Sequence, residues 1–182
     1  MRRLACLAAA LIGLAACDGG GERGSAPAAP AESFAYNAAG DISGYYLPMD
    51  EVRFGQWSFE HVFVGQAAQF GSWAGGERST AFAPVMLAFD DAASATAETG
   101  PGETRSVSVR VFPTVYAVDD VQMRFEGRSP ELGRVIFDGR MDQGALATSR
   151  RNLGDEGVVM TGSLKVGDAA PQAVRLRWWM GD

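Results

Sequence analysis

Past residue 33, apolar side chains return at every second position more often than with helical spacing, and Gly, Asp, Pro and Ser interrupt the runs. This is the pattern of half-buried β-strands joined by turns. Between Arg105 and Val111, Val107, Val109 and Val111 alternate with Ser106, Ser108 and Arg110, predicting a strand with one wet face. Val121, Met123 and Phe125 alternate in the same way with Gln122, Arg124 and Glu126 ahead of Gly127. Val158, Met160, Leu164 and Val166 share a parity with Gly162 up to a turn at Gly167-Asp168. The last run sets Val174, Leu176, Trp178 and Met180 against Arg175, Arg177 and Trp179. Gln56 to Val64 is aromatic and β-branched enough for a strand, and Ala83 to Phe89 is apolar on both parities, as in a strand covered on both faces.

No stretch carries a strong helical period. Gln143 to Asn152 fits a short helical turn or an irregular strand equally well. Asp91 to Thr104 is small, polar and punctuated by Gly and Pro, which predicts a mobile loop between two strands of a long hairpin. Arg124-Phe125-Glu126-Gly127-Arg128 and Ile136-Phe137-Asp138-Gly139-Arg140 echo one another, as similar strand ends rather than as a solenoid repeat. Roughly seven to nine strands with connections too short for crossover helices predict an all-β domain, either an antiparallel β-sandwich or a small β-barrel. A barrel would leave room for an apolar ligand, whereas a sandwich would fill its interior and leave function to loops or a sheet face.

The first residues follow a different pattern. Met1-Arg2-Arg3 is a short basic start, and the apolar run Leu4 to Ala16 is too short to span a bilayer as a stable helix. The run closes on Leu14-Ala15-Ala16-Cys17, which resembles the lipobox of bacterial lipoproteins. The resemblance implies a signal peptide over residues 1–16, cleavage ahead of Cys17, and acyl chains such as palmitate on Cys17. The body would then be lipid-anchored on the periplasmic side of a bacterial cell envelope, and several acyl chains would make the attachment effectively permanent. Asp18 resembles the signal that keeps enteric lipoproteins on the inner membrane. After Cys17, residues 18–33 (DGGGERGSAPAAPAES) hold no large apolar side chain, so residues 17–33 form a lipidated start and flexible linker ahead of a domain over 34–182. Cys6 leaves with the signal and Cys17 takes lipid, so this domain has neither a thiol nor a disulfide and relies on packing.

Charge and composition narrow the chemistry. With 16 Lys and Arg against 22 Asp and Glu, the chain carries −6, which excludes general binding to nucleic acid because phosphate neutralisation needs a basic excess. Strand alternation places the single histidine, His61, on one face with Trp57, Phe59 and Phe63. With no second histidine and no thiol in the domain, a metal would need three carboxylates converging on it, and no cofactor is implied. No Gly-x-Ser-x-Gly elbow accompanies His61. The pairs Asp90-Asp91, Asp119-Asp120 and Asp155-Glu156 fall at strand ends and turns, where carboxylates accept backbone hydrogen bonds. Ser149-Arg150-Arg151-Asn152 suits a solvated turn better than an anion site. Adjacent strand residues point to opposite faces, so Trp178 enters the core with Val174, Leu176 and Met180. Trp179 then stays outside beside Arg175 and Arg177 as a surface able to stack on a glycan or anchor a protein.

Glu60-His61-Val62, Gly65 to Phe70, Leu87 to Asp90, Ser106 to Val111 and Val159 to Asp168 (VMTGSLKVGD) follow one another in an order that is similar to the strands of YceI-like periplasmic proteins. That resemblance implies a lipocalin-like barrel binding polyisoprenoid chains; no ligand residue transfers one by one. The expectation is a lipid-anchored envelope protein with no enzymatic activity, meeting a protein or glycan through Trp179, Arg175 and Arg177. The alternatives are a carrier of an isoprenoid or fatty acyl chain in a barrel, and a cell-wall hydrolase in which carboxylates or His61 meet in a cleft.

Overall fold

The computed structural model describes residues 33–99 and 102–181. The expected signal peptide, Cys17 and the linker before Ser33 lie outside the described residues. In chain order the elements are β1 (Ser33–Tyr36), β2 (Gly44–Pro48), β3 (Arg53–Phe54), β4 (Trp57–Val64), α1 (Ala67–Ala74), β5 (Val85–Asp91), β6 (Thr96–Thr99), β7 (Gly102–Arg105), β8 (Ser108–Val111), β9 (Pro113–Val118), β10 (Gln122–Ser129), β11 (Gly133–Met141), α2 (Gln143–Arg151), β12 (Met160–Val166) and β13 (Gln172–Trp179). Strands dominate, and the all-β expectation holds.

The strands do not divide into the two stacked sheets of a sandwich. One 11-stranded sheet runs β1-β9-β10-β11-β12-β13-β2-β4-β5-β8, with β3 paired to β4 off this path, and it curls into a half-barrel. Both ends of the curl draw on one stretch of chain: β8 pairs with β5, β9 pairs with β10, and only Phe112 lies between β8 and β9. The sheet is mixed rather than wholly antiparallel, because β1 lies parallel to β9 with Ser33 opposite Val115 and Tyr36 opposite Val118. The last strand joins nearly the first: in the β13–β2 ladder Leu176 faces Pro48 and Trp179 faces Tyr45.

The concave side is filled with side chains. Phe59, Phe89, Phe125, Phe137, Tyr46, Tyr116, Leu87, Leu164 and Leu176 are all buried in one continuous cluster, so apolar burial, the main stabilising term in a domain without disulfides, is concentrated there. The repeated Phe-x-Gly of β10 and β11 has its explanation in this interior. Phe125 and Phe137 are paired directly across the two strands. A Cβ on Gly127 would stand 2.9 Å from the Phe125 ring, and one on Gly139 would stand 2.7 Å from the Phe137 ring. Each ring therefore folds over the glycine two residues on, filling space the missing side chain leaves. Gly127 also lets the β8–β9 bend approach, since its Cβ would lie 2.4 Å from the Phe112 carbonyl oxygen.

Two helices lie where none was strongly signalled. α2 starts at Asp142, whose carboxylate accepts the Ala145 N–H at 2.9 Å, and carries Arg150 and Arg151 in its last turn, where cations suit the helix dipole. α1 starts where Gln69 Oε1 accepts the Gln66 N–H at 2.8 Å, and it buries Phe70 and Trp73. Phe70 stacks on Tyr36 at 4.1 Å between ring centroids and meets Tyr116 edge-on at 5.3 Å. The N-terminal turn of α1 and the end of α2 share one rim of the sheet: Gln66, Gln69 and Arg150 line a hollow there with Gly44, Val64 and Trp178.

Other departures are local. Within the stretch from Asp91 to Thr104, expected as a loop between two strands of a long hairpin, β6 and β7 pair as a two-stranded ribbon with Thr96 opposite Arg105; residues 100 and 101 lie outside the described residues. Val107, Val121 and Met180, which the alternation places on core faces, are exposed because β8 starts at Ser108, β10 starts at Gln122 and β13 ends at Trp179. Parity carries no information past the last ladder hydrogen bond.

Candidate functional site

The convex side of the sheet differs from one part to another. Over β10 and β11 it carries cross-strand ion pairs: Arg134 makes two hydrogen bonds to the Glu126 carboxylate at 2.7 and 2.6 Å, and Arg124 pairs with Asp138 at 3.3 Å. Over β13, β2, β4 and β5 it is aromatic. Trp179 faces Tyr45, Tyr45 faces Phe63 and Phe63 faces Met86, one residue from each strand in a single row. Ring centroids along it are 5.5 Å apart for Trp179 and Tyr45 and 5.2 Å for Tyr45 and Phe63. Phe82, from the segment before β5, meets Phe63 edge-on at 5.4 Å, and the Ala83 N–H contacts the Met86 sulfur at 3.4 Å. This cover explains why β5 is apolar on both faces.

His61 belongs to this convex face through a β-bulge. Phe59 opposes Phe89 and His61 opposes Ala88, so Glu60 is an extra residue on β4 and the register shifts there. The expectation that His61 shares a face with Trp57 and Phe59 is therefore corrected: Phe59 is in the core, while His61 stands with Phe63 and packs edge-on to Tyr45 at 5.1 Å. Burial lowers the His61 pKa to about 4, assisted by the Arg110 guanidinium, so the imidazole is neutral near pH 7. Glu60 is pushed the other way, upward, first by burial and then by the Asp90 charge, against a hydrogen bond from Ser58 and the attraction of Arg105. Asp90 is raised too, by burial, with Arg105 opposing. Of the carboxylates and imidazole that a hydrolytic cleft could draw on, Glu60, His61 and Asp90 sit on the paired strands β4 and β5, while Asp138 is on β11, paired with Arg124 of β10.

Between His61 and the 79–84 segment is a hollow of about 300 Å³, lined by Tyr45, Phe63, Phe82, Met86, Ala88 and Arg110 among others. Arg110 lines it from β8, opposite Ala88. Neither Tyr45, Phe82 nor Arg110 is singled out by periodicity. Tyr45 has a trace in the Tyr45-Tyr46 pair, one ring of which must face outward in a strand; Phe82 lies outside any strand, and Arg110 owes its place to the β5–β8 ladder.

Trp179 is 36% exposed and Trp178 5%, with the Trp178 indole donating to the Ser43 carbonyl at 3.0 Å. Arg177 stands one ladder step behind Trp179, opposite Leu47. Arg175 is turned aside into an exposed pair with Asp50 at 2.8 Å. The three residues therefore share a face of β13, but Trp179 alone extends the aromatic row. Arg150 does not offer an anion site, because it pairs with Asp41 and lies 5.3 Å over the Trp178 ring. Asp119 and Asp155 serve turns: Asp119 Oδ1 accepts from the Val121 and Gln122 N–H groups at 2.7 Å, and Asp155 from Gly157 at 2.9 Å. Among the described residues no three of His, Cys, Asp and Glu cluster as metal ligands. The chain matches no family model, no curated protein and no solved structure.

Proposed function

We propose that this chain is a lipoprotein of a bacterial cell envelope, held on the periplasmic side by acyl chains on Cys17, and that its domain is a non-enzymatic binding module. The aromatic row Trp179–Tyr45–Phe63 on the convex face carries the reading. Over β10 and β11 the convex face carries cross-strand ion pairs instead of rings, and the concave face is occupied by the core. Aromatic side chains at a surface supply large contact area at low cost in rotamer entropy, and a tryptophan of this kind is the commonest anchor of a protein contact or a stacking platform for a sugar ring. A carrier would instead need an interior free of side chains, and Phe125, Phe137, Phe89 and Leu164 fill it.

The test is photo-crosslinking in cells with a benzophenone side chain at position 179, compared with one at position 128 on the ion-paired part of the sheet. A discrete adduct from 179, absent from 128 and reduced at least about fivefold by Tyr45→Ala, is the expected result. Adducts of equal yield from both positions, or none from 179, would remove this face from consideration.

A further inference from the structure

We propose that the hollow over β4, β5 and β8 binds a small aromatic carboxylate, its ring among Tyr45, Phe63, Phe82 and Met86 and its carboxylate against Arg110 and the His61 ring. This goes beyond the macromolecular contact proposed above and shares with it only the inner part of the aromatic row.

Three observations converge. The hollow, about 300 Å³, is at the small end of ligand pockets and suits a single-ring molecule. Its walls are rings set edge-on or tilted to one another, Tyr45 against His61 and Phe63 against Phe82, which favours a planar apolar body over a branched or extended one. Its polar groups are few and of one sign. Arg53, Arg124, Arg134, Arg150 and Arg175 each have a carboxylate partner. Arg110, like Arg128, Arg140 and Arg177, has no carboxylate partner among the described residues, and it lines a recess whose other polar side chains are Tyr45 and His61. On a chain of net charge −6, an exposed guanidinium without an acid partner at the edge of an aromatic recess is where an anion gains most. One guanidinium offers the two-pronged match to one carboxylate, and a single positive charge suits a singly charged ligand better than a phosphate dianion. The imidazole, kept uncharged by burial, retains one N–H to give and one nitrogen to accept, so it orients the ligand without adding charge. The neighbouring hollow beside α1 lacks this pairing of features, since its arginine, Arg78, already lies 4.6 Å over Trp73 and 4.8 Å over Phe34.

The chain has one histidine, which makes His61 its own reporter. Full-length protein purified without a histidine tag, uniformly labelled with ¹⁵N, is titrated with benzoate and, separately, with benzamide as the uncharged isostere, following the imidazole resonances by NMR. The expected result is a saturable shift with benzoate and affinity at least about tenfold weaker for benzamide. Arg110→Gln should weaken benzoate by a similar factor, while Arg175→Gln, already paired to Asp50, binds like the parent. Equal responses to benzoate and benzamide, unchanged benzoate binding by Arg110→Gln, or no saturable shift at all would overturn the site. Loss of benzoate binding with crosslinking from position 179 intact would remove this inference and leave the docking face standing. Crosslinking lost with benzoate binding intact would do the reverse.

Discussion

At His61 the cost of burying an ionisable ring is met by keeping it neutral, and stability takes on a pH dependence as a result. Its pKa is 6.5 unperturbed and about 4 in the fold, so between those values the unfolded chain takes up a proton that the folded one refuses. The contribution is complete above pH 6.5 and lost as the pH falls towards 4. Glu60 and Asp90 act with the opposite sign, because their raised carboxyls hold protons more tightly in the fold than out of it. His61→Gln removes only the imidazole part. Its unfolding free energy in urea should therefore fall less than the parent's between pH 6.5 and pH 4, by up to roughly 3 kcal/mol; parallel curves would show the ring to be solvated. The bulge at Glu60 is also why the facing of His61 was not legible from alternation. One extra residue inverts every later side chain on a strand, and nothing in Trp57-Ser58-Phe59-Glu60-His61 marks where it is inserted. Trp178 and Trp179 are simpler, since the ladder around them is regular and parity alone separates the buried ring from the exposed one.

Among the elements, strands were legible wherever one face stayed wet, as in β10, β12 and β13. The helices were not. α1 has only eight residues, two large buried side chains three apart and a glycine at 71 in its interior, too little to establish a period. α2 announces itself by its cap and its final arginines more than by its apolar residues. Glycine substitutions separate these environments by sign. Gly127→Ala puts a methyl group against the Phe112 carbonyl and the Val111 side chain and should cost about 2 kcal/mol. Gly71→Ala meets no atom within 4 Å on an exposed helix position and should add about 0.5–1 kcal/mol. Urea midpoints moving in opposite directions would confirm both; a neutral Gly127→Ala would mean that the β8–β9 bend can yield.

For the molecule as a whole, alternation predicted strands but not their partners. A sandwich and a curled sheet place the same residues inward, and what distinguishes them is pairing between β13 and β2, more than a hundred residues apart. The anchor belongs to this scale as well. Cys17→Ser should abolish labelling by radioactive palmitate and leave the signal segment uncut, while the circular dichroism of the domain stays unchanged. Palmitate labelling that survives the substitution would place the attachment elsewhere.

The β13–β2 ladder has a further outcome for biosynthesis. Because β13 supplies the neighbour of β2, a nascent chain cannot complete this sheet until residues 172–179 have been made, and the pairing closes a loop of more than a hundred residues. A stop codon before Gln172 would leave β2 and β12 with bare hydrogen-bonding margins and deprive the core of Leu176 and Trp178 together. Such a product would be a substrate for proteolysis or self-association rather than a slightly shorter version of the same body.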